Sequence, residues 1–593
     1  MLRAALVLLL LVCARIAHAD STVDRCGSDI ESGAGTNLAT ALAAGGRITF
    51  SCGGGATINV NCSHALSADT EIDGGSTVTL RGNPGTPGCG GLASAYSMFA
   101  NASPTRRALQ LRNLRIVEAR PKPDGGVTNL VGGNVARGNL DLRLSGVTIA
   151  NSYAPVALDA GKVFVERSEF SGNEREVIVA PDITIADGTT FLSNQAAPLV
   201  ADGGNVSIAD SLFNGNLRPS DFTACSFVDI RGTQFVGNSG PEEGGALTVN
   251  CNSRIAHSEF AKNSAKTGGA IYIDDLAAHT NLIDVDFDGN VASKSGGAIA
   301  LRFEIFAPAP PAQALELHHV TFKNNKARVA GAISFGRGAL PGLSLNARKL
   351  SAAGSRFIDN EATMFGGALF VSRADASLSR SFFSGNRAVT AGGAIVGLQA
   401  GDASVEISNS LLVRNVAPSG AAFVGEATTF INSTIADNDG PGVSGIASSV
   451  LVPLVGGPVG PQPIRLSNTI LSGGTASACG AADAAAPIED TGNNLQYPGT
   501  SCAASISVGA PNFGPSYIPL PTSPAANEGN DAVCAASPIA GRDIWDTVRP
   551  KRERCTIGAA EADLQTLVDH ALSPLTTIVS RFFDCACSRA PSR

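Results

Sequence analysis

Along the middle of this chain a large apolar residue is followed three positions later by asparagine, and the pair returns eleven times. It runs Phe170/Asn173, Phe191/Asn194, Phe213/Asn216, Phe235/Asn238, Phe260/Asn263, Phe287/Asn290, Phe322/Asn325, Phe357/Asn360, Phe383/Asn386, Leu412/Asn415 and Ile435/Asn438. Successive intervals are 21, 22, 22, 25, 27, 35, 35, 26, 29 and 23 residues. Gly-Gly-Ala-(Ile/Leu) follows the asparagine by five or six residues at 244–247, 268–271, 296–299, 366–369 and 392–395, with a degenerate copy at 330–333. In Ile283-Asp284-Val285-Asp286-Phe287 apolar and acidic residues alternate, which predicts a strand with one face in a core and the other in water. A repeat of short strands cannot bury its apolar face alone; stacked in parallel, such repeats share one core. The pattern therefore predicts an all-β chain, a right-handed parallel β-helix, its hand following from strand twist and crossover rules.

Each motif residue then has a task. Phe points inward and stacks on the Phe of the next coil at the ~4.8 Å strand spacing. Asn closes the strand, where it can take a left-handed backbone and bond to the Asn above. The glycine pair allows positive φ and close backbone approach. Residues 306–311, 336–345 and 452–463 read as loops leaving the coil.

The ends depart from the pattern. Arg3, the apolar run 4–12 and Ala17-His18-Ala19 read as a signal peptide over 1–19, and its run is too short to span a bilayer. Residues 20–46 are expected to cap the first coil with a helix over 36–46 that stops at Gly45-Gly46. The β-helix is placed at 47–470, with early strands at 47–50, 57–60, 71–72 and 77–80. A C-terminal region at 471–561 and a tail at 562–593, with a capping helix over 563–572, complete the division.

Composition adds a compartment and removes a partner. The formal charge is −8 and the pI near 5.5, which does not suit a binder of phosphate backbones, so no nucleic-acid partner is expected. Of 13 cysteines one lies in the leader, and the even remainder in an exported chain favours disulfides. Cys225 lies ten residues before Phe235 and Cys251 nine before Phe260, so they share a phase on successive coils. Stacked positions ~4.8 Å apart fall within disulfide reach, predicting a Cys225–Cys251 staple. Cys479–Cys502 and Cys534–Cys555 are natural local pairs. Cys26, Cys52, Cys62 and Cys89 form two more with the connectivity open, and Cys585 and Cys587 are too close for an easy bridge.

The pairing of Phe-x-x-Asn with Gly-Gly-Ala-(Ile/Leu) over about 230–440 resembles the repeats of polymorphic outer-membrane proteins, which are surface β-helix passengers. Asn432-Ser433-Thr434-Ile435, Asn468-Thr469-Ile470, Gly492-Asn493-Asn494-Leu495, Cys502, Ser523-Pro524-Ala525, Cys534, Arg549-Pro550, Cys555-Thr556-Ile557-Gly558-Ala559 and Glu561 resemble the choice-of-anchor Q domain family. The opening at 46–82 is similar to the first coils of exported pectin-lyase-like proteins. These resemblances imply a secreted, periplasmic or cell-surface β-helix, and they carry over no catalytic residue. The 32 residues after Glu561 are too few for an outer-membrane barrel, and no transmembrane segment is expected in the mature chain.

Candidate chemistry is sparse. Glycoside hydrolysis needs two carboxyl groups flanking the bond, and Asp274-Asp275 is the acidic pair at an expected strand end. Asp284-x-Asp286-x-Asp288-Gly289 opens like an EF-hand loop, but its twelfth position is Ser295 and Phe287 is a core anchor. His318-His319 lacks a third ligand. The sequence thus favours a non-enzymatic exported scaffold for binding or adhesion, without catalytic, metal or cofactor residues. Its partners would be a surface glycan or another cell-surface protein. The alternative is a polysaccharide lyase or glycoside hydrolase of the pectin-lyase-like fold.

Overall fold

The computed structural model describes residues 20–83, 96–119, 134–153, 156–158, 160–274, 279–301, 313–336, 348–399, 403–448, 462–473, 476–481 and 486–562. The chain forms two units, residues 1–265 and 266–593, and each is a parallel β-helix. A coil of the first unit visits three sheets in turn, here named A, B and C. Lys162–Glu166 lies in A, Glu169–Ser171 in B and Ile178–Ala180 in C, and the chain re-enters A at Asp182–Ala186. Like positions of successive coils pair in parallel: Val163 with Ile183, Phe170 with Phe191, Ile178 with Leu199. The second unit keeps this plan and adds short strands of a sheet D between the ladder asparagine and the glycine pair: Val291–Ser295, Lys326–Val329, Glu361–Phe365 and Arg387–Ala388.

Parallel stacking places identical side chains above one another. In the first unit the rings of Phe170, Phe191, Phe213, Phe235 and Phe260 lie face to face, with centroids 4.8, 4.6, 4.8 and 4.7 Å apart. In the second, Phe287, Phe322, Phe357 and Phe383 stack at 4.9, 4.9 and 4.5 Å. All are buried. The same column is aliphatic toward either end, through Ile58, Leu80, Ile116 and Ile149 and through Leu412, Ile435 and Leu471.

The asparagines form a second column. Asn173, Asn194, Asn216 and Asn238 each donate from Nδ2 to the next Oδ1, ending at Asn263, at 2.9, 2.8, 2.9 and 3.0 Å. From Asn290 through Asn325, Asn360, Asn386 and Asn415 to Asn438 each such bond is 2.9 Å. The same Oδ1 also accepts the preceding asparagine's backbone N–H, as at Asn173 to Asn194 (3.1 Å). The second Nδ2 hydrogen goes to the phenylalanine carbonyl one coil back, as from Asn194 to Phe170 (3.1 Å). An amide with two donors and two lone pairs is thereby fully used inside the core.

Several local expectations are corrected. The left-handed residue is the one before the asparagine: Gly172, Ser193, Gly215, Gly237 and Lys262 in one unit, Gly289, Asn324, Asp359, Gly385, Arg414 and Asp437 in the other. The amide ladder needs the asparagine itself to point inward, so the turn is made one residue earlier. Nor is 283–287 one strand. Sheet A ends at Ile283, Asp284 turns the corner with φ 51°, and sheet B takes Asp286–Asp288. Leu282, Val285 and Phe287 face the core while Ile283 is half-exposed, so the alternation slips by one residue at the corner.

The two glycines of Gly-Gly-Ala divide their tasks. Gly296, Gly366 and Gly392 have φ of 64–68°. A Cβ on Gly297, Gly331 or Gly367 would stand 2.0, 2.1 or 1.9 Å from a carbonyl oxygen of the next coil. The first glycine supplies the turn and the second the close approach.

Parallel rungs extend past both expected boundaries. Ser21–Val23 already pairs with Ile48–Phe50, ahead of the helix Leu38–Ala44, which Asn37 caps through Thr40 N–H and Gly45 terminates. At the far end Ile470–Ser472 pairs with Leu495–Tyr497, and Leu495–Gln496 with Ser507–Val508. Residues 509–562 then dock against the coils of the second unit. The buried guanidinium of Arg549 donates to the carbonyls of Thr556 and Gly558 at 2.9 and 2.8 Å, and Thr434 Oγ1 accepts Ala559 N–H at 2.9 Å. The signal peptide expected at 1–19, the loops expected at 306–311, 336–345 (all but Gly336) and 452–463 (all but Gln462 and Pro463), and the tail past Ala562 with its expected helix lie outside the described residues.

Candidate functional site

Alternate residues of sheet A point away from the core, and in the first unit they build a polar surface that carries the aromatic rings of Phe164 and Phe227. Strand register puts Glu71, Gln110, Arg143, Phe164, Thr184, Ser207 and Asp229 in one outward column. Beside it run Ala108, Asp141, Lys162 and Asp182. A groove of about 600 Å³ lies over these columns, between Gln110 and Ser207, with Asn205 on its wall. That volume falls in the range of ligand sites.

The groove centres on Arg143 and Phe164, direct neighbours on adjacent strands. The Arg143 guanidinium lies 4.5 Å from the centroid of the Phe164 ring, within cation–π range. Its other side is held by Glu166, 3.3 Å away. Glu166 also accepts from Ser145 at 2.9 Å and from Arg167 at 2.7 Å. Burial pushes the Glu166 carboxyl up, but the Ser145 and Arg143 hydrogen bonds and the charges of Arg167 and Arg143 outweigh it and hold the group below the usual carboxylate range. Arg143 is therefore positioned from two sides at neutral pH. Asp141 faces Arg106 at 3.6 Å.

Other sequence candidates fall elsewhere. Cys225 and Cys251 are bridged with Cα atoms 5.7 Å apart, at the corner leading from sheet C to sheet A. Cys479–Cys502 and Cys534–Cys555 are bridged at 4.8 and 6.7 Å. Cys26–Cys52 joins the first two rungs at 5.7 Å, and Cys62 is also disulfide-bonded. Cys89, Cys585, Cys587 and Asp275 lie outside the described residues. Asp286 and Asp288 point to solvent, and Asp284 faces His319 at 3.6 Å. Among the described residues no three His, Cys, Asp or Glu side chains are grouped to hold a metal ion.

Sequence reasoning missed three features. Ser or Thr stands two residues before the ladder apolar residue at Ser168, Ser211, Thr233, Ser258, Ser381, Ser410 and Ser433, and its hydroxyl donates to the carbonyl two residues back at 2.7–3.1 Å. The regular spacing from Phe was the available signal. Asp29, wholly buried, accepts from Asn61 Nδ2 and Cys62 N–H at 3.0 Å each and meets His64 Nε2 at 2.8 Å. The Arg143–Phe164 pair also passed unnoticed, because only strand register makes these residues neighbours.

The class defined is a disulfide-stapled parallel β-helix with a polar–aromatic groove on one face. A model of the Chlamydia polymorphic membrane protein repeat matches residues 284–302, which hold Phe287, Asn290 and one Gly-Gly-Ala motif. Among solved structures, bacteriophage CBA120 tailspike protein 3 is similar at 11% identity and a TM-score of 0.28; the match covers 85% of this chain and 65% of that one. No curated protein matches the chain. Among the described residues no helix is long and apolar enough to cross a membrane.

Proposed function

We propose that this protein is an exported β-helix scaffold, secreted or held at the cell surface, that binds an extended glycan along the outward face of sheet A in its first unit. The observation that carries the reading is the Phe164 ring under a doubly anchored Arg143, flanked along the strand stack by Gln110, Thr184 and Ser207. A ring face takes the apolar side of a sugar; Thr184 and Ser207, on neighbouring strands ~4.8 Å apart on one side of the Arg143–Phe164 pair, and Gln110 on the other, offer partners to sugar hydroxyls. The bridged cysteines and the repeat match at 284–302 support export. On its sequence motifs, Asn468-Thr469-Ile470 and Cys555-Thr556-Ile557-Gly558-Ala559 with Glu561, we read the C-terminal region as a choice-of-anchor Q type module. A glycan array run with wild type and Phe164→Ala tests the proposal: hits that disappear in the variant support it, and hits that persist contradict it.

One observation favours an enzyme. Asp141 and Asp182 share an outward column with Lys162 between them, so their strands are two spacings, about 9–10 Å, apart, near the separation of an inverting hydrolase. On that reading array hits are cleaved, and Asp182→Asn abolishes the release of reducing ends.

A further inference from the structure

In the second unit a cavity of about 450 Å³ opens between the corner of the coils and the docked C-terminal segment, lined by His319, Arg356, Arg380, Phe382, Trp545 and Asp546 among others. Its construction differs from that of the sheet A groove. Phe382 and Trp545 give two aromatic walls, and both pack on the cluster of Leu411, Val413 and Ala436. The loop carrying Trp545 is fixed from beneath, since Asp543 Oδ1 accepts the backbone N–H of Trp545 at 2.8 Å and of Thr547 at 2.7 Å. Two guanidiniums face one carboxylate. Arg380 is taken up by Asp546 at 3.3 Å, and Arg542 shares that carboxylate at 3.1 Å. Arg356 is not: it lies 5.7 Å over the Phe382 ring, and no carboxylate among the described residues pairs with it.

We infer that this cavity binds a small ring-bearing carboxylate, the ring between Phe382 and Trp545 and the carboxylate on Arg356. Arg356 and Phe382 are directly paired across two strands, so the guanidinium is already placed beside the ring that would share the ligand. A guanidinium presents two parallel N–H groups to a carboxylate, and the aromatic wall limits competition from water. The site is independent of the sheet A groove, which lies in the other unit.

Trp545 is the chain's single tryptophan, so tryptophan fluorescence of the full-length protein, excited beyond the tyrosine absorption band, reports on this cavity alone. The probes are N-acetylneuraminate and benzoate, each against a neutral counterpart, N-acetylmannosamine and benzyl alcohol, with calorimetry alongside. The expected result is a saturable change with at least one acid, weakened about ten-fold or more in Arg356→Gln. Response to N-acetylneuraminate alone marks a sugar acid, and response to benzoate alone an aromatic acid; either supports the inference. No response to both acids, an equal response to the neutral counterparts, or an unchanged response in Arg356→Gln overturns it. Arg356 is exposed, and the thermal melt of the variant confirms that it folds.

Discussion

Oδ1 of Asn386 accepts two hydrogen bonds from Asn360, one from the side-chain amide at 2.9 Å and one from the backbone N–H at 3.1 Å. Replacing Asn386 with Ala or Leu leaves both donors buried, together with the Phe357 carbonyl that Asn386 Nδ2 satisfies. Each unsatisfied group costs about 1–3 kcal/mol, so Asn386→Leu is expected to lose at least ~3 kcal/mol in urea unfolding. A loss below 1 kcal/mol would refute a structural role for the ladder.

Phe322 stacks on both sides, on Phe287 and Phe357 at 4.9 Å each. Phe322→Ala is expected to cost ~3–5 kcal/mol. Because coupling in a repeat protein is chiefly between neighbours, hydrogen-exchange protection should fall first in the coils of Phe287 and Phe357. Uniform loss across the second unit would count against that coupling.

How much of this was legible in the sequence follows from the same ladders. Stacked columns repeat because each residue touches its own kind, so Phe and Asn announced the coils from 170 to 438. The earlier coils were harder to see. Their column is Ile58, Leu80, Ile116 and Ile149, and Ser152 occupies the asparagine position below Asn173, as the 3.0 Å bond from its N–H to Asn173 Oδ1 shows. The proposed binding surface was invisible for the converse reason. Outward residues such as Gln110, Arg143, Phe164 and Thr184 need not match their neighbours, so no period marks them.

Gly367 and Gly54 make a contrast that tests close approach. A Cβ on Gly367 would stand 1.9 Å from the Gly393 carbonyl oxygen, whereas one on Gly54 would meet nothing within 4 Å. Gly367→Ala is expected to destabilise by ~3 kcal/mol or to prevent folding, and Gly54→Ala to change stability by less than ~1 kcal/mol. Thermal melts of the two variants decide it.

Arg549 sits buried among Asp543, Glu561 and the carbonyls of Thr556 and Gly558. Arg549→Met strands both acids without their cation, at a cost of about 3–5 kcal/mol. Limited proteolysis should then cut within 509–562 while leaving the coils intact; a wild-type digestion pattern would contradict the role given to Arg549.

Burial pushes the Asp29 carboxyl up, but the His64 hydrogen bond and the Asn61 and Cys62 contacts outweigh it, and the group is held below its ordinary value. Its stabilisation is present in full above that ordinary value and is lost as pH falls through the folded value, so the window lies below about pH 4. Amide exchange in 21–48 is expected to quicken in that window, and Asp29→Asn to remove the pH dependence at a cost of about 2 kcal/mol. An acid-induced change that persists in Asp29→Asn would assign it to another group.

The most direct test of the proposed function is the affinity of the wild-type protein for its strongest array glycan, set beside Phe164→Ala and Arg143→Gln. Both side chains lie on the outward face, so the coils should melt as wild type while affinity falls about ten-fold or more in each variant. Wild-type affinity in both variants would contradict the account and move the binding surface away from sheet A of the first unit.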